Sequence, residues 1–146
     1  IPYRSFHAGY KKTELSPCDL IRGVVLEETP KLDRGYKARH YFRKVGARRA
    51  QAISKVSFAG YAVFHQKKRV VLSIGLGLGA VGPVPVFPVE TVRLLTGAAL
   101  SDPRVSKRAE ECLLAEISPM DDLRSTRSYR AEVARRLLNE FLSSLK

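Results

Sequence analysis

A chain of 146 residues that is 45% hydrophobic and 27% charged can enclose one core without staples, and its composition excludes a disordered chain. With 26 Lys and Arg against 14 Asp and Glu, the net charge of +12 suits an anionic partner: nucleic acid phosphate, a dinucleotide cofactor or an acidic protein face. No signal peptide is visible and no run of about 18 apolar residues occurs in this sequence, so no helical membrane span is expected in it, and the two distant cysteines, Cys18 and Cys112, are expected as buried or half-buried thiols in a reducing cytoplasm.

In chain order, Ile21 to Glu27 has the β-propensity of a strand in Val24, Val25 and Leu26, stopped by Glu28-Thr29-Pro30. The charged stretch from Lys31 to Gly35 is the expected domain boundary, and a strand over Arg39 to Val45 follows it. Residues Ile53 to His65 alternate, with Val56, Phe58, Ala62 and Phe64 on one face and Ser57, Ala59, Tyr61 and Val63 on the other. The polar turn Gln66-Lys67-Lys68 leads to Arg69 to Ile74, which predicts an antiparallel hairpin. The glycine-spaced run from Gly75 to Gly82 extends that second strand, with a bend or bulge where side chains are absent.

Three helices are expected after the strands. Pro88 opens the first and Gly97 closes it. Ser101-Asp102-Pro103 starts the second, whose Val105, Ala109, Cys112, Leu113 and Glu116 fall at helical spacing until Pro119 breaks it. The last begins near Ser128, with Tyr129, Val133, Leu137, Phe141 and Leu145 as an apolar stripe widened by Ala134, Leu138 and Leu142. On this reading the Tyr129 ring is core, while Arg130, Arg135 and Arg136 face solvent or a partner. The layout is α+β, a small antiparallel sheet of about three strands packed against about three helices.

Few patterns carry chemistry by themselves. His7, His40 and His65 are scattered with no zinc-type spacing, and there is no His-Glu-x-x-His, Gly-x-Ser-x-Gly or P-loop. Gly77-x-Gly79-x-x-Gly82 fits a dinucleotide fingerprint formally, but Pro83, Pro85 and Pro88 deny it the helix that must follow at once. Those glycines are read instead as letting backbones pass closely. Asp122 and Arg124 suit a structural turn, the Asp binding backbone N–H groups and the Arg satisfying carbonyls or pairing with the Asp. Glu110-Glu111 and Asp121-Asp122 are adjacent pairs that make no acid/base couple. From Lys31 to Lys55 there are nine basic residues and one acid, Asp33, with Tyr36 and Tyr41 among them to stack on bases. A nucleic-acid-binding module using this cluster is the alternative reading, although no helix-turn-helix or zinc-finger pattern accompanies it.

Four motifs in order carry a family resemblance. They are Phe6-x-x-Gly9-Tyr10-Lys11-Lys12-Thr13-x-Leu15-x-Pro17 before Asp19-Leu20-Ile21; Phe42-x-Lys44-Val45-Gly46-x-Arg48 before Ala52-Ile53-Ser54-Lys55-Val56; Gly79-Ala80-Val81-Gly82-Pro83-Val84-Pro85 before Glu90 and Leu94-Leu95-Thr96-Gly97; and Ile117-Ser118-Pro119-x-x-Asp122-x-Arg124 before Tyr129-Arg130. Together they resemble the C-terminal domain of the FAD-carrying subunit of molybdenum hydroxylases, the group of xanthine dehydrogenase and carbon monoxide dehydrogenase. In the last motif Ser125-Thr126 replaces the family's Gly-Ser.

The resemblance implies the fold of the carbon monoxide dehydrogenase flavoprotein C-terminal domain over residues 31–146, with residues 1–30 as the tail end of the FAD-binding domain. It implies part of a cytoplasmic, multi-component oxidoreductase, in which molybdopterin and iron–sulfur clusters sit on partner subunits and FAD passes electrons to an acceptor. The glycine-rich FAD loops of the family's N-terminal half are absent and the chain starts Ile-Pro, so it is expected to be a C-terminal piece, not catalytic alone, that binds FAD weakly or not at all. By resemblance Lys44 lies beside the isoalloxazine ring, Arg48 is a nearby basic position, and Ile21 is an aliphatic position near the ring. A fixed cation suits the negative charge of a reduced flavin at its pyrimidine edge. Arg49 is a further basic position, and Gln51 stands where xanthine dehydrogenases carry an acid.

Overall fold

The computed structural model describes residues 1–26, 28, 31–48 and 52–145. The N-terminal segment forms a single helical turn, α1 (Tyr3–Phe6), and a minimal hairpin of β1 (His7–Gly9) and β2 (Lys12–Thr13). A three-stranded antiparallel sheet follows in the order β3 (Tyr36–Gly46), β4 (Ser54–His65) and β5 (Val71–Gly79). Then come α2 (Val89–Leu95), α3 (Pro103–Glu116) and α4 (Arg127–Ser143). The expected α+β layout is the one observed, and the hairpin of β4 and β5 runs through the glycines to Gly79.

The strand expected from Ile21 does not form. Leu20 to Leu26 has no regular structure, and Ile21, Val24, Val25 and Leu26 are 62%, 81%, 94% and 83% exposed. Propensity supplies extended backbone there, but a strand needs a ladder partner, and none is beside it among the described residues. Glu27, Thr29 and Pro30, the end of that expected strand and part of its stop, lie outside the described residues, as do Arg49 and Gln51.

One face of the sheet carries the core. Val56, Phe58 and Leu78 are buried against Leu113 of α3 and Ala134, Leu138, Phe141 and Leu142 of α4. Gly60 is what lets α4 approach, since a Cβ there would stand 2.9 Å from the Phe141 ring. The helices start as their sequence signals say. The Asp102 carboxylate accepts the Arg104 N–H at 2.9 Å, and Thr126 Oγ1 caps α4 by accepting the Tyr129 N–H at 3.3 Å. α2 has no side-chain cap of its own. Glu116 supplies one from the end of α3, accepting from Glu90 N at 2.9 Å, Thr91 N at 2.8 Å and Thr91 Oγ1 at 2.7 Å. Burial pushes the Glu116 carboxyl up, but these donors outweigh it and hold the group below the usual carboxylate range.

The structure corrects three side-chain expectations. Tyr129 is 43% exposed, with the Lys55 ammonium 5.2 Å from its ring centre, because the buried stripe of α4 is rotated by one residue toward Arg130. Arg130 is correspondingly 4% exposed rather than solvated. Cys18 is exposed where a buried or half-buried thiol was expected, whereas Cys112 is half-buried.

Candidate functional site

The sheet face away from the helices is open, and register places Lys44 on it. Lys44 pairs with Ser57 and Ser57 with Gly79; the next row on the same face is Phe42, Ala59 and Gly77, and the one beyond is His40, Tyr61 and Gly75. Lys44 is exposed on β3. Arg48 is exposed in the bend just after that strand, at the same end of the sheet. Gly46 permits the bend, because a Cβ there would be 2.9 Å from Ala52 Cβ. Structure therefore brings Lys44 and Arg48 to one end of one strand. Ile21 is not brought to them: it lines a separate apolar hollow of about 530 Å³ with Tyr3, Phe6 and Leu20.

The two rows beyond Lys44 form a shallow cleft of about 730 Å³ that sequence reasoning missed. Its floor is Ala59, Gly75 and Gly77, and Phe42, Tyr61 and Phe87 are its aromatic walls. Arg4 stands at its rim with its guanidinium 5.5 Å from the Phe87 ring centre, while Tyr3 meets that ring edge-on at 6.0 Å. Tyr61 Oη is buried without a hydrogen-bond partner among the described residues. The signal that marked this face was the glycine spacing. A Cβ on Gly75 would meet nothing within 4 Å, and one on Gly77 would touch Phe87 only at an ordinary 3.6 Å, so neither glycine is required by packing in this fold. Gly79 and Gly82 sit more tightly, since their Cβ atoms would come 2.5 Å from Ser57 Oγ and 3.0 Å from Val86 Cγ2, so those side chains would have to shift. Bends, not a helix, follow Gly79, so the dinucleotide fingerprint has no phosphate-binding helix N-terminus.

The Asp122 turn is structural, as expected, but its cation is Arg130 more than Arg124. Asp122 Oδ1 accepts from Arg124 N at 2.9 Å, Ser125 N at 3.0 Å and Arg130 Nη2 at 2.7 Å, whereas the Arg124 guanidinium stays 3.9 Å away. Arg130 Nη1 also donates to the carbonyls of Lys55 at 2.6 Å and Ala80 at 3.0 Å. One buried guanidinium thus ties the loop before α4 to the start of β4 and the end of β5. The Arg124 N–H and its neighbours hold the Asp122 carboxyl below its ordinary range. No group of three His, Cys, Asp or Glu able to hold a metal occurs among the described residues, and no described helix is long and apolar enough to cross a membrane.

Comparison with known proteins agrees with this architecture. The family described as the CO dehydrogenase flavoprotein C-terminal domain matches residues 40–145. A crystal structure of the Cu,Mo-CO dehydrogenase in its cyanide-inactivated form is similar with a TM-score of 0.78 at 22% identity, over 94% of this chain and 45% of that one. Reconstituted CO dehydrogenase from Oligotropha carboxidovorans gives 0.72 at 22% identity, over 94% and 45%. Quinoline 2-oxidoreductase from Pseudomonas putida 86 gives 0.68 at 16%, over 97% and 46%. The chain therefore spans about half the length of the solved chains it matches, and at these identities the likeness is one of fold. No curated protein matches it in sequence.

Proposed function

Because the chain belongs to the CO dehydrogenase flavoprotein C-terminal domain family, we propose that it is the C-terminal portion of the FAD subunit of a cytoplasmic, molybdopterin-dependent oxidoreductase. Residues 31–146 form the domain that covers the flavin, and residues 1–30 complete the FAD-binding domain that precedes it. The observation that carries this reading is the open sheet face with Lys44 exposed at one end of it. The unpaired, exposed strand-former from Leu20 to Leu26 supports the division, since such a segment lacks only a neighbouring sheet.

The residues present suit a planar ring. Ala59, Gly75 and Gly77 leave the floor beside the Lys44 row almost bare of side chains, where a bulkier residue would fill the cradle. Lys44 would stand at the ring's pyrimidine edge, with Arg48 screening that end from solvent, while Ile21 belongs to the segment shared with the preceding domain. FAD bound in the complete subunit would supply the passage of electrons from iron–sulfur clusters and molybdopterin on partner subunits to an acceptor. This chain's share is placement and electrostatics: a fixed cation favours negative charge on a reduced ring. Alone, it should bind FAD weakly, and stoichiometric FAD on the purified 146-residue chain would contradict the reading.

The test is Lys44→Ala in the complete subunit. Loss of one exposed cation a few ångströms from the ring should cost on the order of 1 kcal/mol, a fall of about 20 mV in a two-electron potential. An unchanged potential rejects the role of Lys44. The nucleic-acid alternative loses its aromatic platforms: Tyr41 packs on Phe58 and Phe141, and the half-buried Tyr36 is engaged edge-on by His65.

A further inference from the structure

The basic run that is continuous in sequence is divided by the fold. Arg43 is committed to Glu140 of α4 at 3.0 Å, and Lys44 and Arg48 lie at one end of the sheet. At the other end Arg34, Lys37 and Arg39 are joined by Lys67, Lys68 and Arg69 from the turn between β4 and β5. Backbone bonds bring the two segments together: Tyr36 pairs with His65, and Gln66 N donates to Gly35 O at 2.8 Å. All six side chains are exposed, and none of them makes an ion pair among the described residues. Asp33 is the acid in these two segments.

Most acids of the helical layer are spent elsewhere. Glu110 and Glu132 hold Arg135, Glu132 also holds Arg136, Glu116 caps α2, and Asp121 and Asp122 hold Arg127 and Arg130. The result is a segregated field, neutralised among the helices and uncompensated at one end of the sheet. Lys37, Arg39 and Arg69 also share a cleft of about 350 Å³ with Gln66 and Ser144, of a size to admit a carboxylate side chain. A charged guard for an open edge strand explains Lys37 and Arg39. It does not explain three consecutive cations in a turn that lies off that edge.

We propose that this end of the sheet is a docking surface for an acidic protein face, carried by one of the other subunits of the enzyme. The identity of that partner rests on the function proposed above; the surface itself does not. Its nearest strand residue, Arg39, is five residues along β3 from Lys44, about 17 Å, and Lys37 is seven, about 23 Å, so it is separate from the flavin edge. A protein is favoured over nucleic acid because the patch presents no exposed ring to a base and no helix to a groove, while its cleft accepts a single inserted carboxylate.

The experiment reverses charge at three exposed positions, Arg34→Glu, Lys67→Glu and Lys68→Glu, in the complete flavoprotein subunit, and measures its association with the purified partner subunits at 50 and 500 mM salt. Expected are an on-rate at least 10-fold lower at 50 mM salt, near-equal rates at 500 mM, an unchanged Tm and full recovery in a Lys67→Arg, Lys68→Arg control. FAD content, read on the same samples, tests the flavin reading separately, because the substituted residues are remote from that site. Unchanged association at low salt overturns the proposal. So does binding of a DNA duplex or of phosphatidylserine vesicles that the substitutions abolish while subunit association stays intact.

Discussion

Replacing Arg130 by Met removes every donor from a buried guanidinium while keeping an unbranched stem of similar length in the core. Two backbone carbonyls, those of Lys55 and Ala80, then lose partners that stand at 2.6 and 3.0 Å. Each unsatisfied buried acceptor costs about 1–3 kcal/mol, so the pair costs about 2–6 kcal/mol. Asp122 adds less, because its side chain is 40% exposed, keeps two backbone donors and can be rehydrated. Against this, Arg130 Nε is itself buried without a partner among the described residues, and its removal returns part of the loss. The net expectation is about 2–4 kcal/mol, a fall of about 6–12 °C in Tm for a chain of this size. Urea unfolding of the 146-residue chain and of Arg130→Met, at equal m-values, measures it directly. A loss under 1 kcal/mol would refute the reasoning, since it would mean that water reaches those carbonyls and the guanidinium is not their partner in solution. Asp122→Asn, which keeps an acceptor for Nη2, should cost clearly less than Arg130→Met.

Two glycine substitutions separate packing from open space. Gly60→Ala should cost about 1–3 kcal/mol by driving a methyl into the Phe141 ring, whereas Gly75→Ala should leave Tm unchanged or raise stability by about 0.5–1 kcal/mol; thermal melts that rank them the other way refute the sheet face assignment. Glu116→Ala removes the cap of α2 and should cost about 1–2 kcal/mol at neutral pH. Since the folded Glu116 carboxyl lies below its unfolded value, its contribution is complete above the ordinary carboxylate range and disappears as pH falls through the lower folded value. Melts from pH 7 to pH 3 should therefore converge for wild type and Glu116→Ala at the acid end, and a constant difference across that range would count against the cap.

The architecture was legible because each element carried a local signal: alternation in β4, the hairpin turn, Asp102 and Pro103 at the start of α3. What failed needed nonlocal information. Leu20 to Leu26 has strand propensity but no ladder beside it among the described residues, and propensity alone cannot supply one. The cleft over Gly75 and Gly77 was written in the glycines, yet only the register of three strands shows which of them are free of packing duty. The basic run looked like one cluster until Arg43 turned to Glu140 and the β4–β5 turn brought three more cations to the far end.

Arg130 is the instructive case, because its signal was present and was overruled by its charge. It stands four, seven, eight and eleven residues before Ala134, Leu137, Leu138 and Phe141, squarely on the buried stripe. A cation at such a position must find acceptors inside the protein, since an unpaired buried charge is too costly to keep. The turn with Asp122 lies eight residues upstream, and the two strand ends supply the carbonyls. Asp122 and Arg130 thus lock the helical layer to the sheet. Lys44 and Arg48, assigned to the flavin, are exposed at the end of β3 and just after it, away from that lock. Arg130→Met should therefore destabilise the domain without saying anything about the flavin, and the potential measured with Lys44→Ala is what bears on the proposed function.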